Sequence, residues 1–279
     1  MTDLRPGGFQ QLPLIVKNLI IINVLMVLLQ FTLVKTAHID LSEILGLHYW
    51  ASPLFRWWQP FTHMFMHGDP YDPSITFWHI ALNMFALWMF GRILENMWGP
   101  KKFLIFYFVC GLGAALCHMG VLTVQNLPFQ HELAQYKQHP GIIEFLRIAN
   151  HYPMRVDIQS ANHFLSQWEN DPGSLKYMSD SIDLLATHLN EAMVGASGAV
   201  FGVLFAFGYL FPNTEMMIIP IPIPIKAKWL VGCYALIELF SGLRNSAGDN
   251  VAHFAHLGGM LFAFILLRIW RNTLRNRYY

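Results

Sequence analysis

Long apolar stretches separated by shorter polar ones set the organisation of this chain. Six stretches stand out, at roughly residues 18–34, 76–97, 103–123, 193–211, 229–243 and 251–270. A helix needs about 20 mostly apolar residues to cross a hydrocarbon core of about 30 Å. The pattern therefore predicts an all-α, polytopic membrane protein with six transmembrane helices in a single membrane domain over residues 1–279. Lys17 precedes the first stretch, but no small-x-small cleavage site follows it. It reads as a retained helix rather than a signal peptide.

Three segments break the pattern. Residues 35–75 hold Trp50, Phe55, Trp57, Trp58, Phe61 and Phe65. Trp and Tyr favour the headgroup region, so this loop is expected to lie partly in the membrane interface. Residues 124–190 carry Pro128, Pro140, Pro153, Pro172 and seven of the 17 acidic residues. With only weak helical periodicity at 141–150 and 162–170, they predict a polar extracytoplasmic insertion between the third and fourth spans. Residues 218–225 place Pro at alternate positions. Pro inside a helix removes a hydrogen bond and clashes with the preceding turn, so an extended cytoplasmic connector is expected there.

Composition agrees with the pattern. Apolar residues make up 54% and charged residues 13%, about half the charge of an average soluble domain. The net charge of +1 offers no basic face for nucleic acid. Cys110, Cys117 and Cys233 all lie in apolar runs, so they are expected to be small buried hydrophobes rather than disulfides. Basic residues choose the orientation. With cytoplasmic termini, that side holds Arg5, Lys17, Arg92, Lys101, Lys102, Lys226, Lys228, Arg268, Arg271, Arg275 and Arg277, whereas the short opposite loops hold Lys35, Arg56 and Arg244. The expected location is the plasma (inner) membrane of a bacterium, with both termini cytoplasmic.

Candidate chemistry sits inside the spans. Ser197 lies in Gly195-Ala196-Ser197-Gly198 at the start of the fourth. A helix N-terminus offers free backbone N–H groups, which can stabilise the oxyanion formed when a serine attacks a carbonyl. Gly198, Gly202 and Ala206 recur on one face there, as Ala255, Gly259 and Ala263 do on the sixth span. Small-xxx-small faces let membrane helices pack closely. The fourth and sixth spans run the same way, so docking these faces brings Ser197 and His256 to similar depth, as a Ser–His pair requires. His79 and Asn83 share a face of the second span and can supply oxyanion donors. The competing readings are a helix-packing motif for Ser197 and interhelical glue for His79 and Asn83. His63, His67 and His253 invite a metal reading, but no His-Glu-x-x-His is present and no metal or other cofactor is expected. Glu238, within the fifth span, receives no role from the pattern.

These residues resemble the rhomboid intramembrane serine proteases. The resemblance rests on Gly195-Ala196-Ser197-Gly198, Ala255-His256-x-x-Gly259 and His79-x-x-x-Asn83. It also includes Trp58-Gln59 followed by Phe61-Thr62-His63, and Gly91-x-x-x-Glu95-x-x-x-Gly99. It covers residues from about 50 to 270, the 124–190 insertion excepted. It implies a six-helix rhomboid-like bundle with a water-filled cavity open to the extracytoplasmic side. It further implies a Ser197–His256 dyad without a third acid, and an oxyanion hole of Asn83, His79 and the Ser197 N–H. Substrates would be proteins with a transmembrane helix, cut within or near the bilayer. Two positions depart from the family pattern: Gln59 stands for the usual Arg, which weakens polar anchoring of the loop, and Phe201 for a frequent Tyr, still able to pack on the His256 ring. The alternative function is a catalytically silent rhomboid-like protein that binds membrane helices. Such relatives are expected to lack the serine or the histidine. A transporter or channel would need pore-lining charge, of which Glu238 is the main instance.

Overall fold

Helix α1 (Leu14–Ala37) buries Val16, Leu19, Asn23, Val27, Gln30 and Val34, a stripe at three- and four-residue spacing, and turns Ile21, Leu25 and Leu28 outward. A helix apolar on both faces belongs where its outer face meets lipid. The structure is a computed structural model and describes residues 12–152, 158–171, 174–218, 221–244 and 252–275. After α1, the segment expected at the interface folds as α2 (Leu41–Leu45), β1 (Leu47–His48) and α3 (Gln59–Thr62), followed by a 3₁₀ turn at His63–Phe65.

Asp72 then caps α4 (Pro73–Ala86) by accepting from Ser74 and Ile75 N–H, with Pro73 in the first helical position. A π turn at Leu87–Gly91 joins α4 to α5 (Arg92–Trp98). The Glu95 carboxylate reaches back to α1 and accepts from Ile15 N–H at 2.9 Å and Val16 N–H at 2.8 Å. Two orphan donors of α1 are thereby satisfied inside the protein.

Helix α6 (Pro100–Tyr136) has 37 residues, hence a length of about 55 Å. That exceeds any bilayer core: the apolar run ends near residue 123, but the helix continues through Pro128. The expected insertion therefore begins inside a helix. The reason is a second core. Phe129, Leu133 and Tyr136 on the far end of α6 pack with Phe145 and Ile148 of α7 (Ile142–His151), Leu165 and Trp168 of α8 (Ile158–Trp168), and Leu185 of α9 (Leu175–Ala186). Leu47 and Tyr49 of the first loop join the same core. Tyr136 donates to Ser181 at 2.6 Å, the Ser181 hydroxyl being committed to the Met178 carbonyl.

Strand β2 (Ala192–Met193) pairs antiparallel with β1, just ahead of the fourth apolar helix. That helix opens at Ser197, the first residue of α10 (Ser197–Leu210). The alternating-Pro segment is extended, as expected, but paired: β3 (Glu215–Ile218) and β4 (Ile221–Lys226) form an antiparallel hairpin. Helices α11 (Ala227–Arg244) and α12 (His253–Arg275) complete the chain.

The two small-residue faces do meet. A Cβ on Gly259 would run into the Gly198 backbone, and one on Gly202 would lie 3.1 Å from the Gly259 carbonyl. Any side chain at Gly259 would force α10 and α12 apart. Helix α6 enters the same junction, with Ala114 against Gly198 and Cys110 against Gly202. Cys110 is buried, whereas Cys233 is exposed on α11, contrary to the expectation of burial, because that face of α11 points outward. All three cysteines are free.

By length and composition, four described helical stretches suit a membrane crossing: α1, Pro73–Trp98, α6 and His253–Arg271. Helix α10 is apolar but has 14 residues. Helix α11 has 18 and carries Lys228, Glu238 and Arg244. The molecule is thus a mostly helical, multi-pass membrane protein.

Candidate active site

Ser197 and His256 come together across the α10–α12 junction. Ser197 Oγ lies 2.8 Å from His256 Nε2, although the two residues are 59 positions apart. The small faces set the helix spacing and depth, and Phe201, one turn below Ser197, sets the ring. Its face stacks on the imidazole with centroids 4.1 Å apart and planes 8° from parallel. That stacking uses the ring face alone and needs no hydroxyl.

The approach to Ser197 is shaped by Gly195. Its φ of +128° lies where side chains are rarely accommodated, and its N–H donates to the His63 carbonyl at 2.9 Å. A Cβ there would meet His79 Nε2 at 2.9 Å and stand 3.6 Å from Ser197 Oγ. His79 Nε2, Gly195 and Ser197 Oγ therefore surround one small volume. His79 Nδ1 accepts from Gly68 N–H at 3.2 Å. A ring nitrogen that accepts carries no proton, so the neutral ring has its N–H on Nε2, a donor on the serine side. The buried Asn83 donates to the His79 carbonyl at 3.0 Å. It sits one turn further along the face and is tied to its own helix.

The loop before α4 braces this arrangement. Gln59 is fully buried and its Oε1 accepts from Arg56 and His48 N–H, while Nε2 donates to the Leu54 carbonyl at 3.0 Å. Gln59 thus anchors the loop backbone as a neutral amide, with no charge to bury. His63 Nδ1 donates to the Gln59 carbonyl at 3.0 Å. Burial pushes the His63 imidazole down to about 4 and that of His67 down to about 3. Both rings are neutral near pH 7, His67 lying edge-on to His79 with centroids 5.2 Å apart.

One residue escaped the sequence reading. Glu238 on α11 is buried, and its Oε2 accepts from His253 Nδ1 at 2.6 Å. The same oxygen lies 2.9 Å from His256 Nδ1. That contact is close but off the N–H direction, leaving His256 Nδ1 without an aligned hydrogen bond. Glu238, His253 and His256 thus form a cluster that the sequence pattern, which gave Glu238 no role, did not assemble. The available signal was a carboxylate deep in an apolar helix, since ionisable groups at membrane depth face the interior and mark function. Surface hollows lined by Trp98, Lys102 and Trp270, and by Glu132, Tyr136 and Arg147, involve none of these side chains.

Apolar helices long enough to cross a bilayer, packed around a partly buried Ser–His contact, define an integral multi-pass membrane protein. Residues 54–129 and 175–272 match the model of the family described as the Rhomboid domain, leaving 130–174 unmatched. That match takes in more than half of the sequence, and the chain belongs to the rhomboid family. It is similar to "Rhomboid protein 1, mitochondrial" of Saccharomyces cerevisiae (strain ATCC 204508 / S288c), at 24% identity over 235 residues. The aligned region takes in 81% of this chain and 61% of that relative's length. The mitochondrial name is the relative's own, and it lends no support to the bacterial membrane expected above.

Proposed function

We propose that this protein is an intramembrane serine endopeptidase that cuts membrane-protein substrates within or near a transmembrane helix. The observation that carries this reading is the 2.8 Å contact between Ser197 Oγ and His256 Nε2 in a member of the rhomboid family. Ser197 Oγ attacks the scissile carbonyl carbon and its proton passes to His256 Nε2. The proton goes to the leaving amine as the C–N bond breaks, and water, activated by the same ring, releases the acyl group from Ser197. The oxyanion is received by the first-turn N–H groups of α10, by His79 Nε2–H and by the Asn83 amide. No cofactor takes part.

The membrane arrangement belongs to the same proposal. Helices α10 and α11 complete six spans. The Lys and Arg bias supports both termini on the cytoplasmic side, with a water-filled cavity and α7–α9 on the other. Trp57, 82% exposed, and Trp50, 47% exposed, support a first loop seated in the interface.

The test is cleavage of a model transmembrane substrate by the purified protein in detergent and in liposomes. Ser197→Ala and His256→Ala should each remove nearly all cleavage while the helical fold persists, and a fluorophosphonate probe should label Ser197 only with His256 intact. A folded wild-type protein that binds such helices but neither cuts them nor takes the probe would make this a silent helix-binding member instead.

A further inference from the structure

Helix α11 turns two faces to different surroundings. Leu236, Ile237, Phe240 and Leu243 point outward, while Glu238 and Gly242, one turn apart, face α12. Gly242 lets α12 come close: a Cβ there would stand 3.2 Å from His253 Cβ. The Glu238 carboxylate is therefore aimed at the first turn of α12 rather than reaching along the helix to water. A buried carboxylate is costly unless charges or donors compensate it. Here both compensating groups are imidazoles, His253 at 2.6 Å and His256 at 2.9 Å.

The His256 ring has two nitrogens with different neighbours. Nε2 faces Ser197 Oγ and must be bare to accept its proton. The neutral ring must then carry its hydrogen on Nδ1, the atom beside Glu238 Oε2. Hydrogen bonds in resting sites are often poorly aligned and tighten when charge develops. A small swing of the carboxylate would align this one. His253 holds the same oxygen in place from the other side.

Resting on the protease reading above, we propose that Glu238 is a positioning residue: its carboxylate holds His256 in the Nδ1–H form and stabilises the imidazolium that appears when Ser197 gives up its proton. Glu238 itself stays ionised and exchanges no proton. The pair expected from the sequence thus becomes Ser197–His256–Glu238, with His253 steadying the acid. Among the described residues, the other titratable groups that act on His256 are His79 of α4 and His118 of α6, both imidazoles. Glu238 is the carboxylate in contact with it among the described residues.

The experiment measures kcat and KM against pH for the reconstituted wild type, Glu238→Gln and His253→Ala, with Ser197→Ala as the inactive reference. Removing the negative charge makes imidazolium less stable, so in Glu238→Gln the acid limb of kcat/KM should move to lower pH. Its kcat should fall by about 10- to 100-fold with KM little changed, less than the roughly 10⁴-fold attached to a fully aligned acid–histidine partner. His253→Ala frees the carboxylate from its second donor, so its acid limb should move the other way, to higher pH. That opposite shift is a signature that loosened packing would not produce, and it serves if Glu238→Gln does not fold. An acid limb unmoved in whichever variants fold would overturn the assignment even if kcat fell, because a structural role would then suffice. Wild-type protein that does not cut, or cutting that survives Ser197→Ala, would instead overturn the protease reading.

Discussion

Asn83 spends one amide hydrogen on the His79 carbonyl, and that bond leaves its second hydrogen uncommitted. If the oxyanion takes that hydrogen, the bond strengthens only as charge develops. Asn83→Ala should then lower kcat by about 10²–10³, equivalent to about 2.7–4 kcal/mol, with little change in KM. A rise in KM with kcat intact would place Asn83 in substrate binding instead. His79→Ala is a poorer probe, because His79 also holds Gly68 N–H and lies beside His67. At this scale residue chemistry alone was a fair guide to Ser197, His256, His79 and Asn83 as candidates. It did not show that Gln59 would meet buried backbone groups of the first loop.

The elements are held by a few long-range polar contacts laid over close apolar packing. Glu95 is the clearest case, since α5 caps α1 through it. Hydrogen bonds to a charged group contribute about 1.5–3 kcal/mol each, and a buried donor left unsatisfied carries a comparable penalty. Glu95→Ala should therefore destabilise the folded protein in detergent by about 2–4 kcal/mol, and Glu95→Gln, which keeps one acceptor, by less. A melting temperature unchanged by Glu95→Ala would show that the α1 donors find other partners. The Gly91-x-x-x-Glu95-x-x-x-Gly99 pattern was visible in the sequence, but not the target of its carboxylate, 80 residues away on α1. Helix ends showed the same limit. Hydropathy marks where α6 leaves the hydrocarbon, whereas burial of Phe129 and Leu133 under α7–α9 decides where it stops.

Across the whole molecule, the segment between α6 and β2 is not a loose surface addition. Its core takes in Leu47 and Tyr49 from the first loop, and β1 pairs with β2 just before Ser197. Replacing residues 130–185 with a short Gly/Ser linker should thus loosen the first loop. Preference among transmembrane substrates should change, while a small generic substrate is still cut. An unchanged cleavage profile would make the segment a solvated elaboration. The same segment reports orientation: Lys137 is exposed at the end of α6, so trypsin should reach it from the extracytoplasmic face of sealed vesicles. Arg155, an equally basic target in the sequence, lies outside the described residues. Cleavage at Lys137 from the cytoplasmic side alone would invert the proposed topology.

Apolar length placed each long helix to within a few residues at most ends, because a membrane span is a local property of some twenty consecutive side chains. Glycine and alanine at four-residue spacing on α10 and α12 foretold that Ser197 and His256 would meet, because close packing needs small residues on both faces. The rotation of α11 about its own axis was not local. Its apolar residues lie all round, so periodicity could not say whether Glu238 faced lipid or the bundle; its packing against α12 turned it to His253 and His256. The β1–β2 pairing and the shared second core likewise join segments more than a hundred residues apart. Short extended pieces carry too little pattern to name their partners. Sequence alone therefore singled out the serine, the histidine and the membrane as candidates, and tertiary packing decided which carboxylate lies beside that histidine.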